Sequence, residues 1–163
     1  TVMSNLGLYK ALDKEGIKYE KTAVGDKYVN ENMVKNGHCI GGEQSGHIIF
    51  LDENTTGDGL LSALHLLKVM VDTKEKLSEL AKIMEVLPQA LVNAKVPNHK
   101  KEHYMEYAEI AEASEAKFAG EGRVLIRPSG TEPLVRVMIE GKDQQLIESE
   151  AQKLAELISS IML

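Results

Sequence analysis

Apolar residues in the first third of the chain recur at two periods. In "LGLYKALDKEG" they fall at helical spacing and stop at a glycine, the residue that most readily takes the left-handed conformation closing a helix. "IKYEKTAV" follows as a short extended stretch, and "KYVNENMVKNG" repeats the helical pattern and its terminal glycine. "HCIGG" and "HIIFL" read as two short strands joined by the polar "EQSG". "TTGDG" then offers Asp58 as an N-cap to a helix from Leu60 to Val71. That helix is apolar almost all round, which predicts burial against a sheet.

The pattern shifts at "DTKEK". Leu77, Leu80, Ala81, Met84 and Leu87 mark one face of an amphipathic helix, expected to start after a Thr73 cap and to end before Pro88. "ALVNAKV" predicts a strand, and "HYMEYAEIAEASEAKF" a helix ending at the glycines of "AGEG". "RVLIR" and "LVRVMIEG" predict two more strands. A last helix runs from Asp143, with Leu146, Ile147, Ala151, Leu154, Ile158 and Ile161 inward. The resulting fold class is α/β: a partial layered α/β domain over residues 1–72, then a small two-layer α+β domain, ordered βαββα, over residues 73–163.

Composition narrows the function. At 43% hydrophobic residues, 163 residues suffice for a real core, while a net charge of −6 argues against broad binding to nucleic acid or anionic membrane. The most apolar stretch, "GLLSALHLLKVMV", is too short to span a bilayer and carries His65 and Lys68. Cys39 is the single cysteine and cannot form an internal disulfide, so a cytoplasmic setting is expected. The opening "TVMSN" lacks an initiator Met and resembles the end of a strand, as in a fragment of a longer chain.

Two loops concentrate candidate chemistry. All three arginines fall within "RVLIRPSGTEPLVRV", although lysine serves the rest of the chain. A turn alone explains the Pro and Gly. A guanidinium fork, however, grips a phosphate or carboxylate through two parallel hydrogen bonds, and a tight loop adds backbone N–H groups. Arg127, Ser129, Gly130, Thr131 and Arg136 therefore form a candidate phosphate site, whereas Arg123, four residues upstream, reads as a surface residue. In "GGEQSGH", the crowding of Glu43, Gln44, Ser45 and His47 into a strand connection suits sugar hydroxyls. The glycines alone would also suit a hairpin. One His and one Glu lack the further ligands of a closed metal site, and Cys39 reads as a small core residue. His38, His65, His99 and His103 show no metal-pair spacing, and His65 reads as a hydrogen-bonded core or interface residue. Asp26 reads as a helix cap; Lys27 beside it could reach a substrate.

Together with "TVMSNLG", "VGDKYV" and "TTGDGLLSALHLL", these two loops resemble the C-terminal half of the bacterial phosphoglucosamine mutases, a branch of the α-D-phosphohexomutase superfamily. Gln44 is similar to that branch, where related phosphomannomutases and phosphoglucomutases usually carry Met or Glu. The resemblance implies a third domain in residues 1–72, contacting the sugar through Glu43, Ser45 and His47, and a fourth in residues 73–163, holding phosphate through the Arg127 loop. It implies interconversion of glucosamine 6-phosphate and glucosamine 1-phosphate, with His47 or Lys27 as candidates for proton transfer. A phosphoserine, a glucosamine 1,6-bisphosphate intermediate and a Mg²⁺ loop are also implied; the serine and the Mg²⁺ ligands lie in N-terminal domains outside these residues. The expected partners are a hexosamine phosphate, those N-terminal domains and, through an edge left exposed at "TVMSN", a second copy in a homodimer. A fragment of a phosphomannomutase or phosphoglucomutase, a stand-alone phosphosugar-binding module and a dimerisation module are the alternatives.

Overall fold

A computed structural model describes residues 1–101, 103 and 107–162. The chain separates into two compact units, Thr1–Val86 and Leu87–Leu163.

In the first unit, helix α1 (Leu6–Lys14) begins where the Asn5 side chain accepts from the Gly7 N–H at 3.0 Å. Residues 17–24 do not form a strand, although the Val2 N–H bonds the Thr22 carbonyl at 2.8 Å and Tyr19 stacks on Tyr9. Helix α2 (Asp26–Asn36) turns Val29 and Met33 inward. Strands β1 (Ile40–Gly42) and β2 (Ile48–Phe50) pair antiparallel, with Gly41 opposite Ile49. A side chain at Gly41 would come within 2.4 Å of Met33 Sδ and 2.7 Å of Val29 Cγ1. Glycine is therefore what lets α2 lie flat on β1 and complete the small core of Val29, Met33 and Ile49.

Helix α3 (Gly59–Thr73) starts as expected, with the Asp58 carboxylate accepting from the Leu60 and Leu61 N–H groups. Its expected burial does not occur. None of its residues is buried, and Leu60 and Val71 are each 74% exposed. A two-stranded ribbon is too small to cover a helix of this length. The helix is held to β2 chiefly by His65, which stacks on Phe50 with ring centroids 3.9 Å apart and hydrogen-bonds the Glu53 carboxylate at 2.7 Å. Nor is Thr73 a cap: it closes α3, its hydroxyl bonding the Val69 carbonyl, and Lys74 then turns left-handed at φ 60°. The amphipathic helix expected through Leu87 shortens to one turn, α4 (Leu77–Leu80), followed by a 3-10 turn over Ala81–Ile83.

The division between units thus falls later than the expected 72/73 boundary. Residues 73–86 belong with the first unit, where the Glu85 carbonyl abuts Gly7 so closely that a Cβ there would lie 1.7 Å from the oxygen.

The second unit contains strands β3 (Gln89–Lys95), β4 (Arg123–Pro128) and β5 (Leu134–Glu140) in the order β3-β5-β4, all antiparallel. Helix α5 (Ala108–Glu115) and a 3-10 turn over Ala116–Phe118 connect β3 to β4, giving the expected βαββα order. Of the helix expected over 103–118, residues 104–106 lie outside the described residues. Alternation divides the sheet into two faces: Ala90, Ala94, Val135, Val137 and Ile139 face the long helix α6 (Gln144–Met162). Ile147, Ala151, Leu154, Ala155, Ile158 and Met162 answer from α6, burial worth about 1.5–3 kcal/mol for each large side chain. Leu146 and Ile161, expected inward, are exposed, because the buried stripe runs one position round the helix. Glu150 lies on that stripe, paired with Lys117 and Lys153. Arg127 and Arg136 project from the opposite face of the sheet.

Candidate functional site

The first loop joins β1 to β2. Its ends are closed by the Glu43 N–H donating to the His47 carbonyl and the Gly46 N–H to the Glu43 carbonyl, both at 3.0 Å. The Glu43 side chain, 11% exposed, accepts from the Gly25 N–H at 3.1 Å through one oxygen and from the Ser45 hydroxyl at 2.8 Å through the other. Ser45 Oγ also lies 2.9 Å from His47 Nδ1. An ionised carboxylate only accepts, so the hydroxyl proton goes to Glu43, and Nδ1–H donates to Ser45. That tautomer leaves Nε2 of the exposed His47 to engage a ligand hydroxyl or move a proton.

Glu43, Ser45 and His47 are therefore one hydrogen-bonded unit. Gln44 projects from the same loop onto the wall of a cavity of about 620 Å³ within this unit, lined by hydrocarbon from Leu8, Leu12, Val29, Met33 and Ile40. Its apolar walls do not suit a phosphorylated sugar. Asp26 caps only its neighbour's N–H, and Lys27 pairs with Glu31 at 3.7 Å instead of joining Glu43, Ser45 or His47.

The second loop joins β4 to β5. Arg127 and Arg136 are directly opposite in the antiparallel register, so both guanidinium groups leave the same face of the sheet, and Asn93 of β3 continues the row beyond Arg136. Burial first, and then the charge of Arg136, lower the pKa of Arg127 from the usual arginine value. Two like charges side by side each disfavour the other's charged form. Arg136 reaches Glu132 at 3.3 Å, whereas no carboxylate among the described residues pairs with Arg127.

Between the arginines the backbone is tied down almost group by group. The Ser129 N–H donates to the Leu134 carbonyl at 2.9 Å, the Glu132 N–H to the buried Ser129 hydroxyl at 3.2 Å, and the Val96 N–H to the Pro133 carbonyl at 3.1 Å. Lys101 Nζ donates to the Ser129 carbonyl at 2.9 Å. Only the N–H groups of Gly130 and Thr131 find no acceptor among the described residues, and nothing lies within 4 Å of where a Gly130 side chain would begin. Ser129 thus shapes the loop from within, Gly130 and Thr131 present it outward, and Arg127 and Arg136 flank it. Sequence reasoning missed Lys101, which sits in the lysine- and glutamate-rich "NHKKEHYME" and carries no distinguishing signal there, and Glu132, which lies in the singled-out turn but as a carboxylate does not fit a phosphate site.

Two successive domains mixing helices with small sheets, each presenting one polar loop, define the class of α/β protein. Residues 1–87 match phosphoglucomutase/phosphomannomutase, alpha/beta/alpha domain III, and residues 66–157 match the phosphoglucomutase/phosphomannomutase C-terminal domain; the chain belongs to that family. The phosphoglucosamine mutase of Ruminiclostridium cellulolyticum is 59% identical over 161 residues, which are 97% of this chain and 36% of that protein. The chain thus spans about a third of the length of the curated relatives it matches. Among solved structures, the N-acetylphosphoglucosamine mutase of Aspergillus fumigatus superposes with a TM-score of 0.82 at 17% identity, over 98% of this chain and 37% of that one. The same Aspergillus fumigatus enzyme in complex with GlcNAc-6P and magnesium gives 0.75 at 17% identity, over 97% and 40%. At such identity these structures establish the fold alone. No helix among the described residues is long and apolar enough to cross a membrane.

Proposed function

We propose that this chain supplies the sugar-holding and phosphate-holding domains of a cytoplasmic phosphoglucosamine mutase, which interconverts glucosamine 6-phosphate and glucosamine 1-phosphate. The observation that carries the reading is the register of Arg127 opposite Arg136 beside the open N–H groups of Gly130 and Thr131. Two forks and two amides offer enough donors for the oxygens of one phosphate dianion. Glu43, Ser45 and His47 are the candidate sugar contacts. Identity of 59% to a relative named phosphoglucosamine mutase favours glucosamine over other hexoses.

In this reading the two loops act by positioning. The arginine loop holds whichever phosphate is not reacting, and the His47 loop engages ring hydroxyls, so that binding at a distance from the reacting atoms lowers the barrier. A glucosamine 1,6-bisphosphate must turn round between the two transfers, which favours a grip on phosphate over a rigid grip on the sugar. His47 Nε2 is the best-placed proton carrier here, and Lys27, turned toward Glu31, is the weaker candidate. The phosphoserine and Mg²⁺ are assigned to further domains of the enzyme: among the described residues no three His, Cys, Asp or Glu groups gather to hold a metal. Bound Mg²⁺ would neutralise charge on the transferring phosphoryl group, and no step is assigned to it through these residues.

The deciding experiment compares turnover of glucosamine 6-phosphate by this chain with turnover by a longer chain of the relatives' length carrying the same 163 residues. Activity confined to the longer chain, and lost there on Arg127→Met, is expected. Full activity of that variant would overturn the phosphate-holding role. A homodimer is the second reading, favoured by the uncovered apolar side of α3. Sedimentation equilibrium of this chain should then show a dimer that dissociates on Leu60→Glu, and a monomer at all concentrations would dismiss it.

A further inference from the structure

We infer that Lys101 is a positioning residue for phosphate: by holding the Ser129 carbonyl, it aims the Gly130 N–H at the anion. The inference rests on the phosphate-holding reading above. A peptide group is planar and trans, so its carbonyl oxygen and the following N–H point in opposite directions. The Ser129 oxygen and the Gly130 nitrogen belong to one such plane. Lys101 Nζ donates to that oxygen at 2.9 Å, in a partly buried contact between residues 28 apart in sequence. Fixing the oxygen on the lysine side turns the N–H to the other side, and it is one of only two loop amides without an acceptor among the described residues.

The other constraints in the loop do not accomplish this. The Ser129 N–H, the Glu132 N–H and the Pro133 carbonyl are each bonded, but they bracket the Ser129–Gly130 peptide without fixing its rotation. Gly130 has no side chain, and nothing lies within 4 Å of its missing Cβ, so packing does not restrain the plane either. Without the ammonium group this peptide is at liberty to flip. A cationic donor on the carbonyl also polarises the peptide group and makes its N–H a stronger donor. Lys101 is itself anchored, because the adjoining Lys100 donates to the Met162 carbonyl at the end of α6 at 2.9 Å. The segment carrying both lysines therefore ties the loop to the helix layer of the second unit.

The test uses the 163-residue chain, inorganic phosphate as the probe, calorimetry for affinity and the ¹⁵N–¹H signal of Gly130 for geometry. Lys101→Met is expected to weaken phosphate binding roughly tenfold, the effect of one charge-assisted hydrogen bond, and to abolish the downfield movement of the Gly130 signal on titration. Lys101→Arg, which keeps a cationic donor, should restore both. Lys101→Gln, a neutral donor, should keep the signal movement with reduced affinity, and it serves in place of the methionine variant if that one does not fold. Binding and Gly130 movement unchanged in Lys101→Met, or affinity unchanged in Lys101→Gln used in its place, would overturn the inference. Arg127→Met separates the two levels: if it alone abolishes binding, the loop holds phosphate and Lys101 is uninvolved. If it too binds normally, the phosphate-holding reading itself fails.

Discussion

Arg123 and Glu140 face each other across β4 and β5 and form an ion pair at 2.7 Å, with the Arg123 side chain 13% exposed and that of Glu140 fully buried. Arg123, read from the sequence as a surface residue, is therefore part of the fold, unlike Arg127 on the same face of β4, which no carboxylate among the described residues pairs. Gln89, the other register partner of Glu140, donates to the same carboxylate at 3.3 Å.

Breaking one partner of that pair leaves an uncompensated buried charge. Glu140→Gln is expected to destabilise the second unit by about 3–5 kcal/mol. The double variant Arg123→Met with Glu140→Gln should lose less than the sum of the single changes, since neither charge is then stranded. Urea unfolding of the four proteins reads the coupling directly. Additive losses would place the two residues in separate roles.

At the arginine loop the two flanking carboxylate and cation changes should act in opposite directions. Arg127→Lys replaces a planar fork with a point charge and is expected to weaken phosphate binding by about 1.5–3 kcal/mol. Glu132→Gln releases Arg136 from its exposed partner and should tighten binding by up to about 1 kcal/mol, the upper range for a surface ion pair. Calorimetric titration with glucosamine 6-phosphate distinguishes the two, and weaker binding by the glutamine variant would mean that Glu132 orders the loop more than it competes with ligand.

In the first unit, Gly41→Ala pushes a methyl group into Met33 and Val29 and should cost about 1–3 kcal/mol as overpacking. The same change beside Met33→Ala should be tolerated better than the two single losses add up to. Equal losses in both backgrounds would exclude the clash as the cause.

Glu150 predicts a pH dependence. The Lys117 hydrogen bond, followed by that of Lys153, holds its carboxyl below the usual range for a glutamate. A carboxylate whose folded pKa is depressed adds stability above its unfolded pKa, and that stability is lost as pH falls through the lower folded value. Lys117→Met should therefore lower stability at neutral pH and flatten the acid side of the stability curve, so that the gap between variant and parent closes at the acid end. Unfolding by urea at stepped pH from neutral to about 3 tests this, and a gap independent of pH would assign the loss to packing of the lysine stem.

Most of the second unit was legible in the sequence because its strands alternate cleanly and its last helix keeps a strict stripe. The shift from Leu146 and Ile161 to Ala155 and Met162 was not legible, since both sets fit a helical period and only the sheet decides which faces it. In the first unit, the Asp58 cap, the glycine ending α2 and the hairpin at Gly41 and Gly42 could be read directly, whereas Asp26 and Thr73 do not act as the caps they resemble. The fate of α3 could not: an all-round apolar pattern records what a helix is made to be buried against, and here nothing sizeable meets it. At the candidate site, side-chain chemistry pointed to Glu43, Ser45, His47, Arg127 and Arg136. Backbone acceptors carry no such mark in a sequence, which is why Lys101 became visible only through the carbonyl it holds.

Arg136 stands on β5, the middle strand, with Val135 and Val137 beside it wholly enclosed. Its amide should exchange with deuterium only on global opening of the second unit, whereas Gly130, a few residues away, should exchange almost at once. So sharp a gradient over so short a distance would mean, if Arg136 holds phosphate as proposed, that its side chain works from a fixed base and that letting a ligand go needs no loosening of the sheet.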